Sequence, residues 1–377
     1  MPILHIDEHI DMHVHVGLLG DQWGGLGKMS DWFTRQPVFK IFLLYARIDP
    51  DIVCDQVLHE KTIETINTST LDRVVCLALD PVFDIRGNER KELSHMWIDN
   101  AYIQKLQKDA GEKVLFGASV HPYDPKFKKR IAACVDQGAV LLKWLPSAQQ
   151  INLADERVAE AMKFLATAKN GKPLPLLLHV GPEYAIESSD QRTKSYDFLT
   201  WGFTDNVKNW FLGRDKWFVP EVEQIRSNIR TGLDEGMTII FAHCGLPYFA
   251  SGIAGKFLEH SDFNEISEYL NNNKVKSYNG QCFADVSAFC TPFRQNYFED
   301  VAKLPSEYLI FGSDFPTPAF ELTSDIREKL EDLKAILKGE FDRIIIPQDN
   351  LLDVNYRELN HAFPGHAMFT NFSKLIK

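Results

Sequence analysis

Short runs of apolar residues recur along the chain, bounded by turn-forming residues and separated by amphipathic stretches. Each run is almost continuously apolar at its start, which is typical of strands buried on both faces of a parallel sheet. Helical patterns lie between the runs, such as Glu156–Lys169 and Val222–Glu235. This alternation predicts an α/β fold, a (β/α)8 TIM barrel, with a doubly wound open sheet as the alternative. The eight predicted strands are Ile10–Val16, Arg73–Asp80, Val114–His121, Ala139–Leu145, Leu174–Val180, Thr238–Cys244, Cys282–Ala288 and Tyr308–Phe315.

Three stretches are longer than a minimal barrel needs. Residues 17–71 follow the first predicted strand, residues 182–237 follow the fifth, and a C-terminal extension over 316–377 contains a charged helical pattern at Ser324–Lys338. The first two leave the carboxyl ends of their strands, so we interpret them as lid-like pocket walls; a peripheral insertion or an oligomer contact is the alternative. Without an internal repeat or a low-complexity linker, residues 1–377 are predicted to form a single domain.

Polar side chains interrupt the apolar runs near their carboxyl ends, and this end of a barrel carries the active site. Burying each of them without a partner would cost several kcal/mol, so packing alone does not account for the pattern. Asp285 lies inside its run rather than at the tip, and for it we expect a structural role. The interrupting residues are His13, His15, His121, Lys143, His179, His243, Asp285 and Asp314.

Composition narrows the class of partner. The 377 residues include 41 Lys and Arg against 52 Asp and Glu, a net charge of −11, with 45% hydrophobic residues. These values are those of a globular protein and exclude a disordered or collagen-like chain. The acidic balance argues against nucleic acid and anionic membranes, so we expect a small-molecule substrate. Six scattered cysteines without a CxxC pair, and a start without signal-peptide features, predict reduced thiols and a cytoplasmic protein.

The motif His13-Val14-His15 is the first candidate for chemistry. Residues two apart in a strand share a face, so both imidazoles are expected to enter the barrel side by side and offer two nitrogens to a divalent metal. Asp11 is predicted to share that face, either as a further ligand or as a carboxylate that orients an imidazole. His179 and His243 end later strands, and Asp314 ends the eighth, which adjoins the first when a barrel closes.

At this point the chain resembles the amidohydrolase-2 branch of the amidohydrolase superfamily, which contains metal-dependent hydrolases of TIM-barrel fold. The local stretches LLKWLPS, FAHCG, FADVSA and GSDFP are similar to that branch, and the pattern runs from residue 10 to residue 316. The matching residues, in family order, are His13, His15, Lys143, His179, His243 and Asp314.

The resemblance implies a ligand set. His13, His15 and Asp314 would hold one divalent metal, for which we expect zinc, and His179 would join it or hold a second metal with His243. Asp314 would also move a proton from the attacking water to the leaving group, and His243 or a metal linked to Lys143 is expected to stabilise the oxyanion.

Lys143 distinguishes two versions of this site. A carboxylated Lys143 would be an anion able to bridge two metals, and this is the version we favour. With a single metal, Lys143 would stay cationic and pair with a substrate carboxylate. Further substrate contacts are expected from His121, Tyr123, Arg294 and Trp144, with Arg294 suited to an anionic group.

The predicted function is a hydrolase that cleaves a C–N or C–O bond, of the amide, ester or lactone type, in a small anionic molecule. A non-oxidative decarboxylase with one metal is the main alternative, and the resemblance also implies a homo-oligomer. A barrel that binds metal without turnover, or a phosphatase-type barrel that begins with the same HxH motif, fits the six residues less well.

Overall fold

The computed structural model describes residues 5–180, 186, 222–246, 262–291, 294–317 and 349–377. Its centre is a sheet of eight parallel strands that pair in chain order. A parallel bridge between Val14 and Phe315 joins the first of them to the chain that follows the last, so the sheet closes. The predicted (β/α)8 barrel is confirmed, and the open sheet is excluded. The barrel strands are β1 (Ile10–His15), β3 (Arg73–Leu77), β5 (Val114–Ala118), β6 (Leu141–Trp144), β7 (Leu176–Leu178), β8 (Thr238–Phe241), β9 (Gln281–Asp285) and β10 (Leu309–Ile310).

Helices pack around this barrel, and a small antiparallel pair, β2 (Gly27–Met29) with β4 (Met96–Ile98), lies beside it. None of the helices in the described segments combines the length and hydrophobicity needed to cross a membrane. The helices are α1 (Asp31–Thr34), α2 (Pro37–Tyr45), α3 (Asp55–Thr68), α4 (Asn100–Ala110), α5 (Phe127–Asp136), α6 (Pro146–Gln149), α7 (Glu156–Leu165), α8 (Val222–Asp234), α9 (Phe263–Lys274), α10 (Phe298–Val301), α11 (Leu351–Ala362) and α12 (Met368–Ile376).

The predicted strands and the helix at Glu156–Lys169 lie where the sequence indicates, but they are shorter than predicted. The helical pattern at Glu156–Lys169 becomes a helix that ends at Leu165, and every barrel strand ends before the last residue predicted for it. The helix predicted at Ser324–Lys338 lies outside the described residues, and so does the lid predicted over 182–237 up to residue 221, except for Ile186.

Alternation along the strands separates two apolar layers. One set of side chains points into the barrel, where helix α12 closes the lower end with Phe372 and Ile376. The other set packs against the surrounding helices. Because residues two apart in a strand share a face, the interior set also identifies which polar residues enter the barrel mouth. The interior strand residues include Ile10, Met12, Val75, Leu77, Leu115, Leu141, Leu177, Ile240, Phe283 and Ile310.

A buried carboxylate anchors the first insertion to the barrel. Asp55, at the start of α3, accepts hydrogen bonds of 2.6–3.0 Å from four backbone N–H groups. Burial would raise the pKa of Asp55, but these four bonds outweigh it and hold the pKa below the usual range. The carboxylate therefore fixes the glycine-rich loop that leads into β2. The four donors are Leu19, Gly20, Gln22 and Trp23.

Replacing Asp55 by alanine would leave four backbone donors without their acceptor, and we expect the free energy of unfolding to fall by at least ~2 kcal/mol. A carboxyl group with a lowered folded-state pKa stabilises the protein above its unfolded-state pKa and loses that effect as the pH falls through the folded-state value. Wild type and Asp55→Ala should therefore converge in stability under acidic conditions. Urea denaturation across a pH series measures both effects. The exposed Asp51→Ala is the control, and equal stability of the two variants at neutral pH would contradict the anchor role.

Candidate active site

Three donor atoms converge where β1 and β10 end. The Nε2 atoms of His13 and His15 lie 3.1 Å apart. Asp314 Oδ1 lies 3.5 Å from the first and 3.3 Å from the second. Thr317 donates a hydrogen bond of 2.9 Å to the other carboxylate oxygen of Asp314, which leaves Oδ1 directed at the imidazoles. The two imidazoles thus lie side by side, as the strand alternation predicts.

The buried Asp285 orients His13. His13 Nδ1 donates to Asp285 Oδ2 at 2.9 Å, and both side chains are fully buried. Burial would raise the pKa of Asp285, but the His13 imidazole and the hydrogen bonds hold it below its usual range, so the carboxylate stays ionised and can only accept. His13 Nδ1 therefore carries the ring proton, and the lone pair of Nε2 faces the site.

Ser287 extends this arrangement to His243. Its hydroxyl donates to Asp285 and lies 2.7 Å from His243 Nδ1. Asp285 also accepts from the backbone N–H of His243 at 2.9 Å. One carboxylate and one hydroxyl thus position two imidazoles from different strands. The sequence predicted a structural role for Asp285, but the structure shows that it orients two imidazoles of the candidate site. Its position two residues after the inward-facing Phe283 could have indicated that its side chain enters the barrel mouth.

Asp11 does not take the place predicted for it. The register of β1 shifts between Asp11 and Val14, which is a β-bulge, and such an extra residue reverses the alternation of side chains. Met12 and His13 both face inward, and Asp11 Oδ1 accepts from the backbone N–H groups of His13 and Ser313. Burial raises the pKa of Asp11 to about 7. The prediction that Asp11 shares the face of His13 and His15 was wrong.

His243 reaches the barrel mouth through an unusual backbone conformation. By alternation from Ile239 and Phe241 it would point outward, but the strand ends at Phe241 and His243 adopts a φ of 54°. Asp314 has a φ of 62°. Residues other than glycine rarely adopt this left-handed backbone conformation, which costs of order 1–3 kcal/mol. Residues that do adopt it cluster at functional sites.

Three buried histidines at the mouth, His13, His179 and His243, have lowered pKa values and are neutral at pH 7. Burial lowers the pKa of His13 to about 4. Burial and the nearby Arg294 lower the pKa of His243 to about 3. The pKa of His179 is lowered further below its usual range by burial and by neighbouring cationic groups. The ring of His179 lies 5.3 Å from that of His243, edge to face. Neutral imidazoles are the form that binds metal.

Lys143 lies within the same cluster. Its Nζ is 3.2 Å from His13 Nε2, and its side chain is 1% exposed. Gly312 makes the crowding possible, because a Cβ there would lie 2.8 Å from the Cβ of His13. Lys143 therefore belongs to the predicted cluster, but it is not among the described residues that line the cavity, so the prediction that it faces the pocket is not confirmed.

The donor set fits a divalent metal of the zinc type. His13, His15 and Asp314 each offer one ligand atom, and these atoms lie within 4.8 Å of one another. Two imidazoles with a carboxylate are ligands that zinc and related metals prefer. The hydrogen bond from His13 to Asp285 is the support that metal-binding histidines usually have.

A cavity of about 120 Å³ adjoins this cluster and has two unlike ends. His15, His179, His243 and Asp314 line one end. Apolar side chains of the first insertion line much of the rest, and no pattern in the sequence had marked them individually. They are Met29, Phe33, Phe39, Phe42, Leu43, Ile48 and Leu58.

His121 and Tyr123, which are expected to contact substrate, lie away from the cavity. Both ring nitrogens of His121 are used within the protein, one toward the carbonyl oxygen of Gln149 and one toward the N–H of Tyr123. The Tyr123 hydroxyl accepts from the N–H of Asn152. Among the described cavity-lining residues neither is present. They hold the loop after β6 in place.

Trp144 and Arg294 have different positions. Trp144 follows the inward-facing Lys143 directly, so it points to the outer layer, where its indole donates to the carbonyl oxygen of Val120. This corrects the expectation that Trp144 forms a pocket wall. Arg294 is 5% exposed and donates to the carbonyl oxygen of Leu246, and its charge acts on His179 and His243.

Comparisons with known proteins concern the fold. Neither a family model nor a curated protein matches the chain. Among solved structures it is similar to an IDCase from Metarhizium anisopliae in apo form, with 14% identity, coverage of 98% of this chain and 95% of that chain, and a TM-score of 0.47. It is also similar to an amidohydrolase from Burkholderia multivorans with bound zinc (10% identity, 94% and 99% coverage, TM-score 0.45). A third is a probable 2-pyrone-4,6-dicarboxylic acid hydrolase from Acinetobacter baumannii with bound citric acid (14%, 93% and 99%, 0.42). At these identities we infer function from the side chains of the site.

The role of Asp285 can be tested with the Asp285→Asn variant. Its amide NH2 can donate to His13 Nδ1, which would move the ring proton to Nε2 and remove the lone pair offered to the metal. We expect zinc affinity to fall by ~10–100-fold, measured by competition with a chromophoric chelator. Asp99→Asn, which keeps the helix cap of α4, is the matched control. An Asp285→Asn protein that folds and binds zinc as tightly as wild type would contradict the assigned role.

Proposed function

We propose that this chain is a metal-dependent hydrolase of the amidohydrolase superfamily, which cleaves a C–N or C–O bond of a small molecule. One observation carries the proposal. Two imidazole nitrogens and one carboxylate oxygen, from His13, His15 and Asp314, lie within 3.1–3.5 Å of one another at the carboxyl rim of the barrel. This is the rim where barrel enzymes carry their active sites.

A divalent cation bound there supplies Lewis acidity, which lowers the pKa of water and polarises a carbonyl group. Asp314 is proposed to take a proton from the attacking water and to pass it to the leaving group. Burial would raise its pKa, but the neighbouring imidazoles, His243 first, hold it well below the usual range, so it is a carboxylate at neutral pH. Its Oδ1 faces the cavity end where an attacking water would lie, and Thr317 keeps it in that orientation. His243 lines the same cavity. We propose that His243, or a metal held through Lys143, would stabilise the charge that develops on the substrate oxygen.

Lys143 has two roles to choose between. Its amine lies 3.2 Å from a proposed ligand atom, where an ammonium would repel a dication. Carboxylation would convert it into an anion able to bridge two metals, and we propose this two-metal form for the hydrolase. The supporting observation is the proximity of His179 and His243, whose rings lie 5.3 Å apart and can serve a second metal.

A non-oxidative decarboxylase is the second candidate, and a specific observation favours it. An unmodified Lys143 together with the buried Arg294 would place two cations near the imidazole cluster, where they could bind a substrate carboxylate. In that version the site would hold one metal, and product formation would release CO2 without attack by water.

Metal stoichiometry distinguishes the two versions. We expect wild type to bind two zinc equivalents and Lys143→Met fewer, because the bridging group is lost; acetate should restore metal to Lys143→Ala. A decarboxylase would bind one equivalent in wild type and in Lys143→Met. The measurement is elemental analysis of protein equilibrated with zinc, with bicarbonate present.

His13→Ala tests the site itself. It should bind no zinc in the cluster while keeping its circular dichroism spectrum, and the exposed His361→Ala should bind as wild type does. Full metal content in His13→Ala would overturn the proposal. The two reactions are told apart by assaying zinc-loaded protein with aryl amides, esters and lactones for hydrolysis, and with aromatic carboxylates for CO2 release.

A further inference from the structure

The apolar end of the cavity has the character of a binding chamber. The ring of Phe33 packs edge to face on that of Phe39, with 5.9 Å between the ring centroids, and the centroid of Phe42 lies 6.4 Å from that of Phe33. Phe33, Phe39 and Leu43 are buried, so α1 and α2 present a fixed apolar wall. At about 120 Å³ the cavity is close in size to apolar cavities of roughly 150 Å³ that take up benzene.

Two of the polar side chains beside this wall, those of Lys61 and Thr62, have partners within helix α3. Thr62 donates its hydroxyl to the carbonyl oxygen of Leu58 within helix α3. Lys61, the one Lys or Arg among the described cavity-lining residues, is paired with Glu64 at 2.8 Å. Because most of the lining of this end is apolar, a polar group that entered it would lose more hydration than it regained in hydrogen bonds, whereas an apolar group would be stabilised by burial.

We infer that α1 and α2 select the substrate: the reacting group lies against the histidines, and an apolar group the size of one ring occupies the chamber. Phe39, Phe42 and Leu43 are the specificity-determining residues. This inference rests on the proposed function, since it assumes that the reacting group lies at the metal end. It adds an apolar group to the anionic substrate that the sequence alone predicts.

Two hydroxamates that differ only in this group test the inference. Titration calorimetry of zinc-loaded protein should show benzohydroxamate binding ~100-fold more tightly than acetohydroxamate, because added apolar groups in a fitted pocket give factors of roughly 10–200 each. Phe42→Ala should reduce that ratio by ~10-fold. Ala46→Leu, which fills the cavity from its lining, should also reduce it. Ile41→Ala lies on the same helix outside the described lining and should leave it unchanged.

Fluorobenzene binding to chelator-treated protein, followed by fluorine NMR, tests the chamber without metal. We expect binding in wild type and Ile41→Ala, and loss in Ala46→Leu. If zinc and acetohydroxamate fail to bind but fluorobenzene behaves as expected, the proposed function is wrong and the chamber stands. Equal affinity for the two hydroxamates, or fluorobenzene binding that Ala46→Leu leaves unchanged, overturns the inference while leaving the metal site intact.

Discussion

The hydrogen bond between His13 and the buried carboxylate of Asp285 is the interaction on which the rest of the site depends. It joins the first barrel strand to β9, and it can form only because the barrel closes and Gly312 leaves room for His13. An ionised carboxylate in this interior would be costly alone, but the imidazole and the Ser287 hydroxyl stabilise it. In return the carboxylate fixes which nitrogen of His13 faces the cluster.

The barrel and the first insertion contribute different parts of the proposed substrate site. The barrel contributes the rigid part, where strand ends bring imidazoles and Asp314 to one point and hold the reacting group. The insertion contributes the chamber that accommodates the body of the substrate. Asp55 connects the two, because its four hydrogen bonds set the course of the loop that precedes β2 and α1. The buried carboxylate of Asp285 therefore supports the proposed chemistry, and that of Asp55 supports the proposed selectivity.

Much of this could be predicted from the sequence, and the failures have physical causes. All eight strands and the clustering of His13, His15, Lys143 and Asp314 follow from apolar runs that end in polar residues. His243 joins them through a left-handed backbone conformation that strand alternation does not predict. Local pattern could not reveal the bulge that turns Asp11 away, because a one-residue shift leaves no periodic signal. Alternation beside Lys143 could have excluded Trp144 from the pocket. The chamber was out of reach, since its wall comes from insertion helices whose packing is tertiary.

The proposed active site requires a metal ion held by three side chains, two near the start of the chain and one far from them in sequence. A crystal structure of the zinc-loaded protein, with anomalous scattering recorded on both sides of the zinc absorption edge, tests this most directly. We predict a peak ~2.0–2.1 Å from the Nε2 atoms of His13 and His15 and within bonding distance of Asp314. A fully zinc-loaded crystal with no peak at that position, or with zinc bound only at other residues, would contradict this prediction.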